Sequence, residues 1–206
     1  MPRFTEDFFT HHVPHWERLF FRALRWDPDA PRRIVEIGSF EGRSTLWFLE
    51  KLLRHPASRL TCVDSFAGGA EHSVSQVEGL HERFLANLEE SGRSKQAEVL
   101  RMHSFPGLLR LLARGDRADL VYVDGSHEAP DVLADLVLAF RLLAPGGVML
   151  CDDYLWSREE TAEVDVLGCP KIAIDAFTNI HRRQIEFVEW SYPWQYAFRR
   201  SSTQPE

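Results

Sequence analysis

Carboxylates follow two apolar segments that have the composition of buried strands. Asp124 comes directly after Asp119–Val123 and begins the run Asp-Gly-Ser-His, whereas Asp152 and Asp153 follow Val148–Cys151. If these strands are neighbours in a parallel sheet, three carboxylates meet at one edge, where unpaired anions repel and raise one another's pKa. A hard divalent cation relieves that repulsion, and Mg²⁺ takes carboxylate, water and substrate oxygens. The pattern indicates a magnesium site, with an ordinary turn at Asp124 and a solvated pair at Asp152 and Asp153 as the alternative.

A histidine, His127, lies three residues after Asp124. An unperturbed imidazole has a pKa of ~6.5, so this side chain suits the removal of a proton from a substrate hydroxyl. The alternative is an exposed histidine at the beginning of the next helix. The sequence leaves both interpretations open.

A second group of residues follows the first predicted strand, Arg33–Ile37. Gly38 and Gly42 allow a tight turn into a helix N-terminus and a close approach of a ligand to the backbone. Phe40 stands where the dinucleotide pattern GxGxxG has its central glycine, which argues against a pyrophosphate. Asp64 follows the second predicted strand, where an acidic side chain accepts hydrogen bonds from ribose hydroxyls. The loop and Asp64 together indicate a nucleoside-bearing cofactor, without separating NAD from S-adenosylmethionine.

Alternating strands and helices must position these side chains. Apolar strands separated by amphipathic helices predict an α/β fold whose parallel sheet is covered on both faces. Two β-type segments near the end are separated by three residues and can pair only as an antiparallel hairpin, because a parallel connection needs a longer crossover. The predicted strands are Arg33–Ile37, Arg59–Val63, Ala97–Arg101, Asp119–Val123, Val148–Cys151, Gln184–Trp190 and Trp194–Arg199. The predicted helices are Thr45–Leu53, Val77–Glu90, Phe105–Ala113, Val132–Leu143 (ending at Pro145-Gly146-Gly147) and Ile172–Ile180.

The composition limits the partners and the compartment. The chain has 206 residues, of which 44% are hydrophobic and 27% charged, as in ordinary globular proteins. Its formal net charge of −7 argues against binding to nucleic acid or to anionic lipid. The longest apolar stretch, Val132–Cys151, is broken by charged residues, proline and glycine, and no signal sequence is visible, so no membrane association is expected. Three cysteines without a CxxC spacing indicate reduced thiols in a cytoplasmic protein.

No linker rich in proline, glycine or serine divides the chain, so we predict a single domain over 1–206. Its parts are a helical N-terminal arm (1–30), the core (31–200) and a polar tail (201–206). The aromatic residues of the arm could cover the site, form a contact between subunits of a homo-oligomer, or pack in the core.

Two details of the arm can be interpreted from the sequence. For Trp16 and Phe20 we adopt core packing, because their spacing is that of an amphipathic helix. The histidines His11, His12 and His15 have no cysteine or acidic residue at a metal-binding spacing, so they are interpreted as a solvated helix start.

Taken together, these motifs resemble those of class I S-adenosylmethionine-dependent methyltransferases. The residues that carry the resemblance are the glycine loop, Asp64-Ser65, Tyr122-Val-Asp124-Gly-Ser-His127, the helix with Asp131 and Asp135, Pro145-Gly-Gly147 and Asp152-Asp153-Tyr154. More closely, residues 33–199 are similar to the bacterial branch that includes macrolide- and aminocoumarin-sugar O-methyltransferases, and to the catechol type in the metal site. The resemblance implies a three-layer, Rossmann-like fold with a mostly parallel seven-stranded sheet that ends in an antiparallel hairpin.

The resemblance also implies roles for individual residues. The methionine and ribose part of S-adenosylmethionine would be surrounded by Glu36, Gly38, Ser39, Gly42, Ser44, Asp64, Ser65 and Asp124. Adenine would lie at His103 and Ser104. Mg²⁺ or another divalent cation would be held by Asp124, Asp152 and Asp153, and His127 stands where the catechol type has a basic lysine, so His127 and Asp124 are the candidate catalytic residues.

The leading functional hypothesis is magnesium-assisted O-methylation of a small hydroxylated molecule by S-adenosylmethionine. The alternatives are a metal-independent methyltransferase of the same fold, an NAD-dependent oxidoreductase and a non-catalytic cofactor-binding protein. The sequence does not distinguish a sugar hydroxyl from a phenol or a catechol as the acceptor.

Overall fold

The structure, a computed structural model, describes residues 1–69, 72–157 and 165–202. Residues 203–206 of the predicted tail lie outside this part of the chain. The strands are β1 (Arg33–Ile37), β2 (Arg59–Asp64), β3 (Ala97–Arg101), β4 (Ala118–Val123), β5 (Leu143–Cys151), β6 (Ile185–Phe187) and β7 (Tyr196–Arg200). The α-helices are α1 (Val13–Glu17), α2 (Arg43–Trp47), α3 (Val74–Val77), α4 (Leu80–Glu90), α5 (Ser104–Ala113), α6 (Ala129–Leu142) and α7 (Pro170–Ile180). Helices α1 and α2 continue as π-helical turns, Arg18–Ala23 and Phe48–Leu52, and short 3₁₀ turns occupy Thr10–His12, Ser94–Gln96 and Val166–Gly168.

The seven strands form one sheet in the order β3-β2-β1-β4-β5-β7-β6. The first five strands of this order are parallel, and β7 runs antiparallel to both β5 and β6. The predicted parallel sheet with a terminal antiparallel hairpin is confirmed. The strand order reverses between β1 and β4, and in open α/β sheets the ligand crevice lies beyond the carboxyl ends of the strands at that point.

Helices cover both faces of this sheet. One face packs against α5, α6 and α7, and the other against α1, α2 and α4. Neighbouring residues of β1 alternate between the two cores, Ile34 facing one and Val35 the other, as the two-residue period of a strand requires. Trp16 and Phe20 are both fully buried, which confirms the interpretation of core packing for these two residues.

Two of the differences between predicted and observed element boundaries have local reasons. The predicted helix over 77–90 is divided into α3 and α4 because Gly79 has φ +66°, outside the helical region. The glycines at 146 and 147 do not precede β5 but lie within it, because the pairing of β5 with β4 begins at Leu143 and continues after a register shift.

Within the described ranges, none of the helices is long and apolar enough to cross a lipid bilayer. The three cysteines are buried free thiols. Cytoplasmic localisation and association through the N-terminal arm stay predictions.

Candidate active site

The two predicted acidic strand ends lie side by side. In the parallel pair of β4 and β5, Val123 is opposite Cys151, so Asp124 and Asp152 leave the sheet at the same level. The backbone N–H of Asp152 donates to Val123 O at 2.9 Å, and that of Asp124 donates to Ile37 O at 2.8 Å. The structure therefore brings these two carboxylates together, as the sequence predicts.

A tyrosine joins the two carboxylates. The hydroxyl of Tyr122, which is buried in β4, lies 3.0 Å from Oδ2 of Asp124 and also donates to Oδ2 of Asp152. Burial and the neighbouring carboxylates raise the pKa of Tyr122, so the hydroxyl keeps its single proton. From the sequence, Tyr122 is named only as part of a motif and has no predicted role. Its position two residues before Asp124, on the same side of an extended chain, was the available signal.

Burial and neighbouring negative charges raise the pKa of both carboxyl groups. For Asp124, burial is the largest cause, and the charges of Asp152 and Asp153 add to it. For Asp152, burial again comes first and Asp153 adds to it, whereas the hydrogen bond from Tyr122 opposes the shift. A raised pKa means that the negative charge is unfavourable here, and a nearby cation would stabilise it. This is the electrostatic situation that the sequence predicts for clustered carboxylates.

Asp153 pairs with His127. Its backbone is left-handed, with φ +54°, and its Oδ2 lies 2.7 Å from Nε2 of the imidazole. The indole of Trp156 lies over the same imidazole, with ring centroids 4.0 Å apart. A carboxylate at one ring nitrogen orients an imidazole and stabilises its protonated form. The pair therefore has the arrangement of an acid–base group at the edge of the sheet.

Residues distant in the chain complete the surroundings of Asp152. The amide Nε2 of Gln195 donates to Oδ2 of Asp152 at 2.9 Å, and the indole Nε1 of Trp16 donates to Oε1 of Gln195 at 2.7 Å. The imidazole Nε2 of His12 lies 3.7 Å from Oδ2 of Asp152, and its Nδ1 lies 3.0 Å from the hydroxyl of Tyr192. The N-terminal helix and the segment before β7 therefore both reach the acidic residues.

The interpretation of the N-terminal histidines as a solvated helix start is wrong for His12. Its exposed fraction is 6%, and burial lowers its pKa to about 4, so the side chain is neutral. The reason is tertiary: Tyr192 covers the helix start from the far end of the chain. His15 is half-buried and stacks on the ring of Tyr192 with ring centroids 3.9 Å apart.

The glycine loop (residues 38–43) touches the acidic strand end directly. Gly38 has φ +81°, and a Cβ at this position would lie 1.8 Å from the carbonyl oxygen of Asp124. Only glycine fits such a close approach of two backbones. The loop that the sequence assigns to the cofactor therefore touches the backbone of Asp124, the residue whose carboxylate it assigns to chemistry.

Two acids support the glycine loop from within the protein. Glu36 is fully buried and accepts hydrogen bonds from the hydroxyls of Ser39 (2.8 Å), Ser44 (2.6 Å) and Thr45 (2.5 Å). Burial, the largest effect, raises the pKa of Glu36 despite these three donors. Asp64 accepts hydrogen bonds from the backbone N–H groups of Ser39, Phe40 and Phe66 at 2.7, 2.9 and 2.6 Å. Cofactor contacts of Glu36 and Asp64 stay predictions, as do those of Gly42 and Ser65.

The predicted adenine residues lie at the edge of the sheet. His103 is exposed and precedes α5, and Ser104 is the first residue of that helix, after the edge strand β3. Near Ser104, Asp135 of α6 is buried, with an exposed fraction of 1%. Neither carboxylate oxygen of Asp135 has a hydrogen-bond partner in the described part of the chain. Burial raises its pKa to about 6, and the nearby hydroxyl of Ser104, although outside hydrogen-bonding geometry, opposes this shift.

The three predicted carboxylates have the chemistry that a divalent cation requires, but their oxygens are not arranged as a complete metal site. Asp124, Asp152 and Asp153 offer the carboxylate oxygens that Mg²⁺ prefers. Across residues 1–69, 72–157 and 165–202, no three acidic, histidine or cysteine side chains stand in a metal-binding arrangement. The acidic oxygens instead meet Tyr122, Gln195 and His127. The magnesium site stays a prediction.

Known proteins similar to this chain agree with the fold and with a methyltransferase family. Residues 35–154, more than half of the chain, match the family described as methyltransferase domain. The chain is 32% identical over 143 residues to the O-methyltransferase hkm8 of Aspergillus hancockii. That match covers 69% of this chain but only 49% of hkm8, about half of its length.

Solved structures show the same fold at low sequence identity. The O-methyltransferase TomG of Streptomyces achromogenes, solved in complex with S-adenosylmethionine, superposes with a TM-score of 0.63 at 21% identity, covering 91% of this chain and 80% of TomG. The methyltransferase MycE of the mycinamycin pathway, solved with Mg, S-adenosylhomocysteine and mycinamycin VI, gives 0.59 at 15% identity, covering 95% of this chain and 50% of MycE.

The matched residues run from β1 to Tyr154 and so include the glycine loop, Asp64 and the three acidic residues after β4 and β5. A methyltransferase family match disfavours the NAD-dependent alternative. The narrower resemblance to sugar O-methyltransferases of bacteria stays a prediction. The chain therefore belongs to the methyltransferase domain family and has the class I fold of S-adenosylmethionine-dependent methyltransferases.

Proposed function

We propose that this protein transfers the methyl group of S-adenosylmethionine to a hydroxyl oxygen of a small molecule, with Mg²⁺ held by Asp124, Asp152 and Asp153. The observation that carries the proposal is the position of the His127–Asp153 pair beside the Asp124–Asp152 pair, at the strand ends that touch the glycine loop. TomG and MycE, which share the fold, have been solved with S-adenosylmethionine and S-adenosylhomocysteine, which supports this choice of cofactor.

The sulfonium of the cofactor already activates its methyl group, so the protein has to align the acceptor oxygen with it and exclude water. A hydroxyl is a weak nucleophile until it loses its proton. His127 accepts that proton, and Asp153, bonded to Nε2, stabilises the imidazolium that forms. The tilted ring of Trp156 packs against the imidazole and helps to hold it in place.

The carboxylates of Asp124 and Asp152 favour the binding of a cation at the same edge of the sheet. Asp124 and Asp152 share one phenolic hydroxyl, burial raises the pKa of both, and neighbouring negative charges add to each shift, so a bound cation would relieve the repulsion. The chemistry that Mg²⁺ supplies when bound is Lewis acidity, which makes a hydroxyl more acidic and fixes its direction. The presence of Mg in the MycE structure supports this part of the proposal.

A second candidate is the same methyl transfer without a metal. The short contact between His127 and Asp153 favours it, because an oriented imidazole can remove a proton unaided. Asp124 and Asp152 would then orient the acceptor through hydrogen bonds.

One assay separates the two candidates. Purified protein is incubated with methyl-labelled S-adenosylmethionine and a panel of phenols, catechols and hydroxylated sugars, with Mg²⁺ or with excess chelator, and products are detected by mass spectrometry. Asp152→Ala is measured beside Asp29→Ala, a matched change at an exposed aspartate that pairs with Arg54. S-adenosylhomocysteine binding is measured calorimetrically for each variant.

Loss of transfer in chelator and in Asp152→Ala, with S-adenosylhomocysteine binding retained, supports the magnesium mechanism. Full transfer in chelator contradicts it and supports the metal-independent candidate. Binding of S-adenosylhomocysteine without transfer to any acceptor favours a non-catalytic cofactor-binding protein, and absence of binding contradicts the whole proposal.

A further inference from the structure

Residues 3–9, here called the N-terminal strap, lie against the glycine loop. The backbone N–H of Thr5 donates to Oε2 of Glu41 at 2.8 Å, and the hydroxyl of Thr5 donates to Oε1 at 2.6 Å. The N–H of Glu6 also points to Oε2, at 3.4 Å. Farther along, the ring of Phe8 lies 5.8 Å from that of Phe40 in the loop. The start of the chain thus contacts the loop through one carboxylate and one aromatic pair.

Glu41 is the anchor of this contact. It lies between the two glycines of the loop and has an exposed fraction of 1%. Besides the donors from the strap, its Oε1 accepts a hydrogen bond from Nε of Arg83 at 2.8 Å. The hydrogen bonds from Thr5 and Arg83 outweigh burial, so the pKa of Glu41 is lowered and the group is ionised at neutral pH. A buried carboxylate is expensive to leave unpaired, so the strap and the loop are held together.

Two further side chains fasten the strap beside Glu41. Arg43, at the beginning of α2, donates from Nε to the carbonyl oxygen of Glu6 at 2.8 Å, and its guanidinium lies 4.2 Å from the centre of the Phe4 ring. Asn87 of α4 donates to the carbonyl oxygen of Glu41 at 2.9 Å and accepts from the N–H of Arg3 at 2.7 Å. These contacts join the strap to Arg43 and to α4, and Asn87 of α4 is in turn bonded to the loop.

The loop needs support because its backbone is unusual. Phe40 has φ +48°, a region that a residue with a side chain rarely occupies, and Gly42 has φ +91°. On the inner side, Asp64 accepts the N–H groups of Ser39 and Phe40. On the other side, the carboxylate of Glu41 accepts hydrogen bonds from the backbone N–H and the hydroxyl of Thr5 in the strap. The conformation of the loop is therefore fixed by groups on both sides, one of which is the strap.

We propose that Glu41 and Thr5 are positioning residues for the cofactor: by holding the strap on the glycine loop, they keep the loop in the conformation that binds the methionine end of S-adenosylmethionine. The inference rests on the proposed cofactor but is independent of the metal, the acceptor and the catalytic base. Because coupling between two binding events is reciprocal, the bound cofactor also holds the strap in place.

The experiment measures S-adenosylhomocysteine affinity by calorimetry and its dissociation rate by stopped-flow fluorescence. Thr5→Val removes one hydroxyl from an exposed residue, and Glu41→Gln removes the buried charge. We expect Thr5→Val to weaken binding about fivefold and Glu41→Gln about tenfold or more, mostly through faster dissociation. Thr5→Ser keeps the hydroxyl and should restore wild-type binding. Glu50→Gln, the same chemical change at an exposed residue paired with Lys51, should have no effect.

Amide hydrogen exchange, measured with and without S-adenosylhomocysteine, distinguishes coupling to the cofactor from a purely structural role. In the wild type, S-adenosylhomocysteine should slow the exchange of the Thr5 and Glu6 amides, and Thr5→Val should reduce this protection. If Glu41→Gln does not fold, Thr5→Val carries the test. Wild-type affinity in folded Thr5→Val, or unchanged strap exchange on binding, overturns the inference. A wild-type protein that fails to bind S-adenosylhomocysteine overturns the proposed function, and the inference with it.

Discussion

The indole Nε1 of Trp16 donates a hydrogen bond of 2.7 Å to Oε1 of Gln195, whose Nε2 donates to Oδ2 of Asp152 at 2.9 Å. A carboxamide has one accepting and one donating end, so the indole determines which end faces the carboxylate. The N-terminal helix therefore fixes the orientation of a group that touches the acidic strand ends.

Trp16→Phe tests this orienting role, because it removes the indole N–H and keeps a six-membered aromatic ring in the core. We expect a loss of about 1–3 kcal/mol in the free energy of unfolding because Oε1 of Gln195 is left without its buried donor, and a further loss from the cavity that the smaller ring leaves. We also expect a clear fall in kcat for methyl transfer with S-adenosylhomocysteine affinity unchanged. Trp26→Phe is the matched control, because its indole donates to Leu52 O at 3.1 Å. An equal fall in kcat in both variants would contradict the orienting role.

Gly38→Ala tests the contact between the glycine loop and Asp124. The new Cβ would lie 1.8 Å from the carbonyl oxygen of Asp124, at φ +81°. We expect about 1–2 kcal/mol of destabilisation from the backbone conformation and about 1–3 kcal/mol more from the clash. Gly92→Ala is the control, because Gly92 has φ +69° with no atom within 4 Å. Chemical denaturation measures both, and equal losses would show that the contact is unimportant.

Asp135→Asn should change how stability depends on pH. Burial raises the pKa of Asp135 from 3.8 to about 6, so the folded protein binds this proton more tightly than the unfolded chain. The stability it contributes is complete below pH 3.8 and is lost as the pH rises to about 6. The free energy of unfolding of the wild type should therefore fall, relative to Asp135→Asn, by at most ~3 kcal/mol across that interval.

The control for this measurement is Asp29→Asn, the same chemical change at an exposed aspartate that pairs with Arg54. Denaturant titrations at several pH values compare the three proteins. A constant difference between wild type and Asp135→Asn over this interval is the result that contradicts the prediction.

Asp153→Asn tests the partner of His127. Asparagine tolerates the left-handed backbone that Asp153 adopts, so the fold should persist. Without the negative charge the imidazolium is less stable, and we expect kcat for methyl transfer to fall about 100-fold while S-adenosylhomocysteine binding is retained. Asp175→Asn, at an acid that pairs with Lys171, should leave kcat unchanged. Wild-type kcat in Asp153→Asn would exclude the acid–base role of the pair.

A local sequence pattern predicts the positions of some side chains of the site but not of others. The convergence of Asp124 with Asp152 follows from parallel pairing, because neighbouring strands end at the same edge. The requirement for Gly38 is suggested by its place in a turn after a strand. In contrast, nothing near His12 in the sequence indicates that Tyr192 and Asp152 bury it, since these partners are more than a hundred residues away.

The sequence by itself determined the alternation of strands and helices, the terminal hairpin, the glycine loop and the acidic strand ends, because periodicity, turn residues and strand termini are local properties. Only the tertiary structure decided that Tyr122 joins two carboxylates, that Trp16 orients Gln195, and that Glu41 binds the start of the chain. These contacts join residues that are brought together by packing, and their energies depend on burial and on donor geometry that no local pattern contains.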